Sequence, residues 1–135
     1  MAVGTSLSVY AANLVLNKLF RNVDFSITAW YVGLLVATVP STDSGTFVEA
    51  NAPSYLRKPI TFNAPASSQI VNAAVVDWGT LSESWGSCYG MMITDALDLA
   101  VFNILAYGPI NNGPKAMNAG QNPRVAAAGL TILLD

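Results

Sequence analysis

Ile27-Thr28-Ala29-Trp30-Tyr31-Val32-Gly33-Leu34-Leu35-Val36-Ala37-Thr38 is the stretch on which the fold class turns. It is strongly apolar and admits two readings, a membrane span or a buried strand. The longest apolar run, residues 29–39, falls well short of the roughly 18 to 20 residues a spanning helix needs. Its content of Trp, Tyr, Val and Leu, and its stop at Pro40, are those of a strand. The stretch therefore predicts β-structure over 27–38 and no membrane partner.

Working outward toward the C-terminus, residues 41–52 are polar, contain Asp43-Ser44-Gly45, and read as a turn or mobile loop. Further strands are predicted at 56–62, 69–76, 87–94, 102–107, 115–117 and 125–134, separated by Pro, Gly and Asn signals. Six of the prolines, Pro40, Pro53, Pro65, Pro109, Pro114 and Pro123, fall between these strands, where a missing N–H costs no ladder bond. Pro59 falls inside one, which predicts an edge or bulged strand there. Residues 111–123, rich in Asn, Gly and Pro, read as a hairpin or exposed loop.

Toward the N-terminus, residues 6–22 run without Gly or Pro and predict a helix, with Thr5 or Ser6 able to cap its first turn. Asn13, Asn17 and Arg21 share one stripe with Lys18 beside it, while Leu7, Tyr10, Leu14, Phe20 and their neighbours fill the remainder. A helix lying on one side of a domain needs an apolar arc of only about 100° or somewhat more. The excess implies a helix sunk in its own core or one that also meets another chain. The whole reads as one mainly β domain, residues 1–135. An N-terminal arm and helix (1–22) precede a β-sandwich or jelly-roll-like domain (23–135) of seven or eight short antiparallel strands.

Charge is the unusual quantity. Asp, Glu, Lys and Arg make up 10% of the 135 residues, against roughly 25% in soluble domains. With 53% hydrophobic residues and a mean hydropathy of +0.44, the surface must be that of a membrane protein, an aggregating monomer or a subunit covered by neighbours. The short apolar run disfavours the first, and the third is the reading adopted. The N-terminus lacks the basic region of a secretory signal, which predicts synthesis in the cytoplasm. Six basic residues and a net charge of −2 offer no phosphate-binding stripe, so nucleic acid is not expected as a partner.

Candidates for chemistry are few. Histidine is absent, which removes the usual general base and the commonest transition-metal ligand. Cys88 could be a nucleophile only with Lys or a helix N-terminus as activator, and a buried structural thiol is the favoured reading. Glu49 with Glu83, or Asp95 with Asp98, could serve as a glycosidase acid pair, but their spacing carries no signature. Asp77, Asp95 and Asp98 sit where Asp commonly bonds turn N–H groups. Trp30, Trp78, Trp85, Tyr31, Tyr55, Tyr89 and Tyr107 could stack on sugars, with core packing the default for most. No catalytic residue, metal site or obligatory cofactor is predicted.

Residues 55–65, Tyr55-Leu56-Arg57-Lys58-Pro59-Ile60-Thr61-Phe62-Asn63-Ala64-Pro65, followed by Ile70, Asn72, Ala74, Val75 and Asp77-Trp78-Gly79-Thr80, carry a resemblance. It continues through Ile93-Thr94-Asp95-Ala96, Ile104-Leu105-Ala106-Tyr107-Gly108, Asn118-Ala119-Gly120 and 126–135. Together with the N-terminal helix, these motifs resemble a family of small tailed-phage virion proteins, often labelled tail-fibre-like, whose relatives in kind include capsid decoration or cement proteins. Asp98-Leu99-Ala100-Val101-Phe102 departs from the polar, Gly-rich turn expected there and suggests an added apolar contact.

The resemblance implies a non-enzymatic virion component. The leading expectation is a capsid decoration protein, a homotrimer or homodimer clamped across junctions of the major capsid protein. The alternative is a tail component, fibre-like or at the baseplate, with host-receptor binding open to it. Expected contact residues are Leu7, Tyr10, Leu14, Phe20, Arg21 and Arg57, with residues 1–21, 41–52 and 111–123 as contact regions.

Overall fold

The computed structural model describes residues 3–134, with side chains from Leu7 onward, and is mainly β with one helix near the N-terminus. In chain order the elements are β1 (Val3–Leu7), α1 (Val9–Arg21), β2 (Tyr31–Leu35), β3 (Lys58–Pro59), β4 (Gln69–Val71) and β5 (Val76–Asp77). There follow β6 (Gly86–Cys88), β7 (Gly90–Thr94), β8 (Ile104–Pro109), β9 (Lys115–Met117), β10 (Arg124–Val125) and β11 (Leu130–Leu133). Seven strands form one sheet in the order β3-β2-β7-β8-β1-β11-β4, and two-stranded ribbons β10-β5 and β6-β9 accompany it.

The decisive stretch is a strand over 31–35 and is buried on both faces, which is why its sequence runs apolar instead of alternating. Val32 and Leu34 point to the larger core cluster, in register with Ile93 and Met91 of β7. Leu35 points to the other side, where Met92 and Tyr107 are covered by Val39, Phe47 and Phe102. Gly90 sits where the sheet has no room for a side chain: a Cβ there would lie 2.2 Å from Val39 Cγ2 and 2.5 Å from the Gly108 carbonyl oxygen. Pro59 lies in β3 at the sheet edge, where its absent N–H leaves no ladder bond unmade.

Two departures from the expectation concern the N-terminus. The arm is itself a strand: β1 pairs parallel with β11 and antiparallel with β8, so the two ends of the described chain lie side by side. The helix consequently starts at Val9 with Ser8 as its cap, not Thr5 or Ser6. Ser8 is well placed for the change of direction. Its hydroxyl accepts from the Ala11 N–H at 3.1 Å and donates to the Ile104 carbonyl at 2.6 Å, while its own N–H reaches the Leu105 carbonyl. At the far end Asn22 adopts the left-handed conformation that closes a helix. Met1, Ala2 and Asp135 lie outside the described residues.

The segment 41–52, expected as a turn or mobile loop, is tied down. Val36 and Ala50 N–H groups bond the carbonyls of Val48 and Leu34, laying the returning chain against β2. Asp43 clamps its tip: one carboxylate oxygen accepts from Tyr107 Oη at 2.7 Å and the other from the Val9 N–H at 2.6 Å, at the positive end of α1.

Candidate assembly surface

The helix has two apolar faces. Ala11 is buried against the sheet with Leu14 and Val15 half-buried beside it, as a core-facing arc requires. On the opposite side Val9, Leu16 and Phe20 follow one another at helical spacing, flanked by Leu19 and Tyr10. Phe20 is 79% exposed and Leu19 69%. Past the helix, Val23, Phe25 and Trp30 are exposed as well. Between α1, this segment and the sheet lies a groove of about 500 Å³ whose walls include Leu14, Phe25, Trp30, Phe62 and Ile132. The helix itself carries no acid; its charges are Lys18 and Arg21, the first paired with Asp24 and the second bonded to Asn17.

Of the expected contact residues, Tyr10, Phe20 and Arg21 are exposed and Leu7 and Leu14 line the groove half-buried. Arg57 does not belong with them. Its side chain is fully buried, and its guanidinium is consumed within the chain. Nε and Nη2 donate to the two oxygens of Glu49 at 2.9 and 2.8 Å. Nη1 donates to the carbonyls of Ala96 and Asp98 at 2.9 and 3.0 Å, and the Phe102 ring packs 3.8 Å from the guanidinium carbon. Tyr55 adds a hydroxyl donor to Glu49 at 2.6 Å and accepts the Leu34 N–H. Burial and then the Glu49 hydrogen bond hold this phenol well above the ordinary tyrosine range. The sequence gives no sign of this burial, because the partner Glu49 lies on the loop laid along β2, a juxtaposition made by tertiary packing.

What Arg57 holds is the loop 95–103, the apolar departure singled out above. Its neck is closed by Asp95, which accepts from Asn103 N–H and Nδ2 at 2.8 and 2.9 Å. Asp98 accepts the Ala100 N–H at 2.8 Å, the turn chemistry expected of it, as Asp77 accepts the Gly79 N–H. On this frame Leu97, Leu99 and Val101 point outward, Val101 being 75% exposed.

The candidates for chemistry are otherwise occupied. Glu49 is bound by Arg57, and Glu83 accepts the Ser54 N–H. Cys88 is buried, its thiol donating to the Gly90 carbonyl, and burial pushes its pKa up to about 11, so it is protonated near neutrality. Trp78 and Trp85 are core residues whose indole N–H groups bond Leu56 O and Ser54 Oγ. Tyr55 and Tyr107 are buried too, which leaves Trp30 as the exposed tryptophan. Among the described residues no group of three His, Cys, Asp or Glu could hold a metal ion. Nor is any helix there long and apolar enough to cross a membrane.

A small β domain that spends its buried polar groups on fixing loops, and turns a helix face and a loop tip of aliphatic and aromatic side chains outward, has the build of a structural subunit. Over residues 6–133, nearly its full length, the chain matches the family model described as podophage GP4 fiber I protein gp80. It belongs to that family and is a tail-fibre-like structural protein of a phage virion. No curated protein matches the chain.

Proposed function

We propose that the chain is a non-enzymatic component of the phage tail fibre whose exposed apolar surface is covered by neighbouring virion proteins. The observation that carries this is the number of exposed apolar side chains on and after α1, among them Val9, Leu16, Leu19, Phe20, Phe25 and Trp30, on a fibre-family domain. Soluble monomers rarely leave contiguous apolar patches beyond a few hundred Å² uncovered. Sequence alone favours decoration of the capsid, bridging copies of the major capsid protein. Membership of a fibre family supports the tail instead. Burial of apolar area is the working interaction in either place, and repetition around a fibre adds avidity without a strong single contact. The test is imaging of intact particles with the protein labelled. Label confined to the tail is expected, and label spread evenly over the shell would overturn the reading.

A further inference from the structure

We propose that the groove between α1 and the sheet is a binding site for a single aliphatic chain, of the kind a free fatty acid supplies. The inference goes beyond the fibre reading and does not rest on it. It starts from how the sheet ends. Strand β3 pairs with β2, and the chain running on from β3 pairs with β4 at the opposite edge. There the Asn63 N–H bonds the Val71 carbonyl, the Ala73 N–H bonds the Thr61 carbonyl, and Phe62 stands opposite Asn72. One segment, residues 58–63, thus joins both edges, and the sheet closes on itself around the larger core.

The groove is one mouth of that enclosure. Ile93 and Ala106, partners in register across β7 and β8, are fully buried members of the core and form its floor. Leu7, Phe62, Ile70 and Ile132 carry the wall outward and are only half-buried. The core is therefore left unfilled at this end over about 500 Å³, whereas protein interiors are otherwise close-packed. Mouths of closed sheets are a usual place for ligand sites, and a volume of this order suits a small molecule.

The lining selects the occupant. Of the fourteen described residues around the groove, Thr61 and Trp30 alone carry a polar side-chain atom. An extended peptide laid there would bring backbone N–H and C=O groups with almost nothing to pair them, and each is costly to bury. A helix pairs its own backbone, but a single turn, about 10 Å across and 5.4 Å long, already takes up most of the volume. An aliphatic chain brings no group that needs a partner along its length. Its polar end stays in water at the rim, where Phe25 and Trp30 are exposed. The concave shape takes one molecule out of water and does not fit the face of a bilayer.

The experiment is titration of the purified chain with dodecanoate, kept below its micelle concentration, followed by tryptophan emission and calorimetry. Trp78 and Trp85 are buried already, so a blue shift reports on Trp30. Saturable binding of one dodecanoate per chain is expected, with a Kd at or below about 100 µM. Phe25→Gln puts an amide on the groove wall at an exposed position, and it should weaken binding at least about fivefold with the melting temperature unchanged. Leu19→Gln, on the outer face of α1, should stay within about twofold of native. No saturation up to about 1 mM, equal losses in the two variants, or association with phosphatidylcholine vesicles in place of the free chain would overturn the proposal. Each of those results leaves the imaging of labelled particles untouched, so the two readings fail separately.

Discussion

Removing the Arg57 guanidinium should be among the most damaging single changes in the chain. In Arg57→Ala the Glu49 carboxylate, with its side chain only 15% exposed, keeps the Tyr55 hydroxyl as a donor but loses both charged donors. The carbonyls of Ala96 and Asp98 lose theirs too, and Phe102 faces a void. Breaking a buried pair from one side costs about 3–5 kcal/mol because the remaining charge stays buried. At about 2.1 cal/mol/K per residue, unfolding of 135 residues has an entropy near 0.28 kcal/mol/K. The loss therefore lowers the melting temperature by roughly 10–18 °C. Calorimetry or circular dichroism melts on Arg57→Ala, Glu49→Ala and the double variant measure it. The double variant should cost less than the sum of the singles by more than about 1 kcal/mol, since the second change removes the stranded group. An Arg57→Ala chain within about 1 kcal/mol of native, or additive singles, would refute the claim that this pair holds the 95–103 loop in place.

Other expectations follow from the same geometry. Gly90→Ala drives a Cβ into the Gly108 carbonyl and Val39, so it should destabilise by about 1–3 kcal/mol or more, measurable by urea titration. Asn72→Ala removes the donor to Ala74 O and Ala126 O and the acceptor for the Leu130 N–H, all within a buried site. A loss of about 2–4 kcal/mol is expected, read by the same titration. Tyr107 is pushed up to about 12 by burial and then by Asp43, Cys88 to about 11 by burial, and Tyr55 higher still. In the unfolded chain these groups ionise near 8.5 to 10, so the stability they lend is complete below that range. It is lost as pH rises toward 12. Tyrosinate absorbance during alkaline titration should show Tyr55 and Tyr107 ionising only with unfolding; ionisation of all five tyrosines near pH 10 with the fold intact would contradict this. Phe20→Ser should leave the melting temperature of the isolated chain nearly unchanged, since the ring is exposed.

Local pattern made several elements legible. Helical spacing located α1 nearly to the residue at its C-terminal end, the Pro and Gly punctuation located most strands, and Pro59 marked an edge strand correctly. The excess of apolar residues around the helix pointed to the exposed Val9, Leu16, Phe20 stripe. What stayed hidden was made by contacts distant in sequence. Val3–Leu7 is a strand because β8 and β11 lie on either side of it, and with Thr5, Ser6 and Ser8 all competent to cap, nothing local selected Ser8. The apolar stretch 27–38 overran β2 because Ile27 and Trp30 are apolar for another reason: they wall the groove. The segments 69–76 and 125–134 each split in two because their halves belong to different sheets. Arg57 and Glu49 carry no local sign of pairing, and with Lys58 beside it the arginine reads as one more exposed charge.

The central claim is that the outer face of α1 is covered in the assembled virion, and side-chain footprinting of the isolated chain against intact particles tests it most directly. In dilute isolated protein Leu16, Leu19 and Phe20 should label strongly, as their exposure requires. In the particle they should be protected, with residues of the buried core such as Met91 and Leu34 unlabelled in both. Equal labelling of Leu19 and Phe20 in the free chain and in the virion would contradict the account.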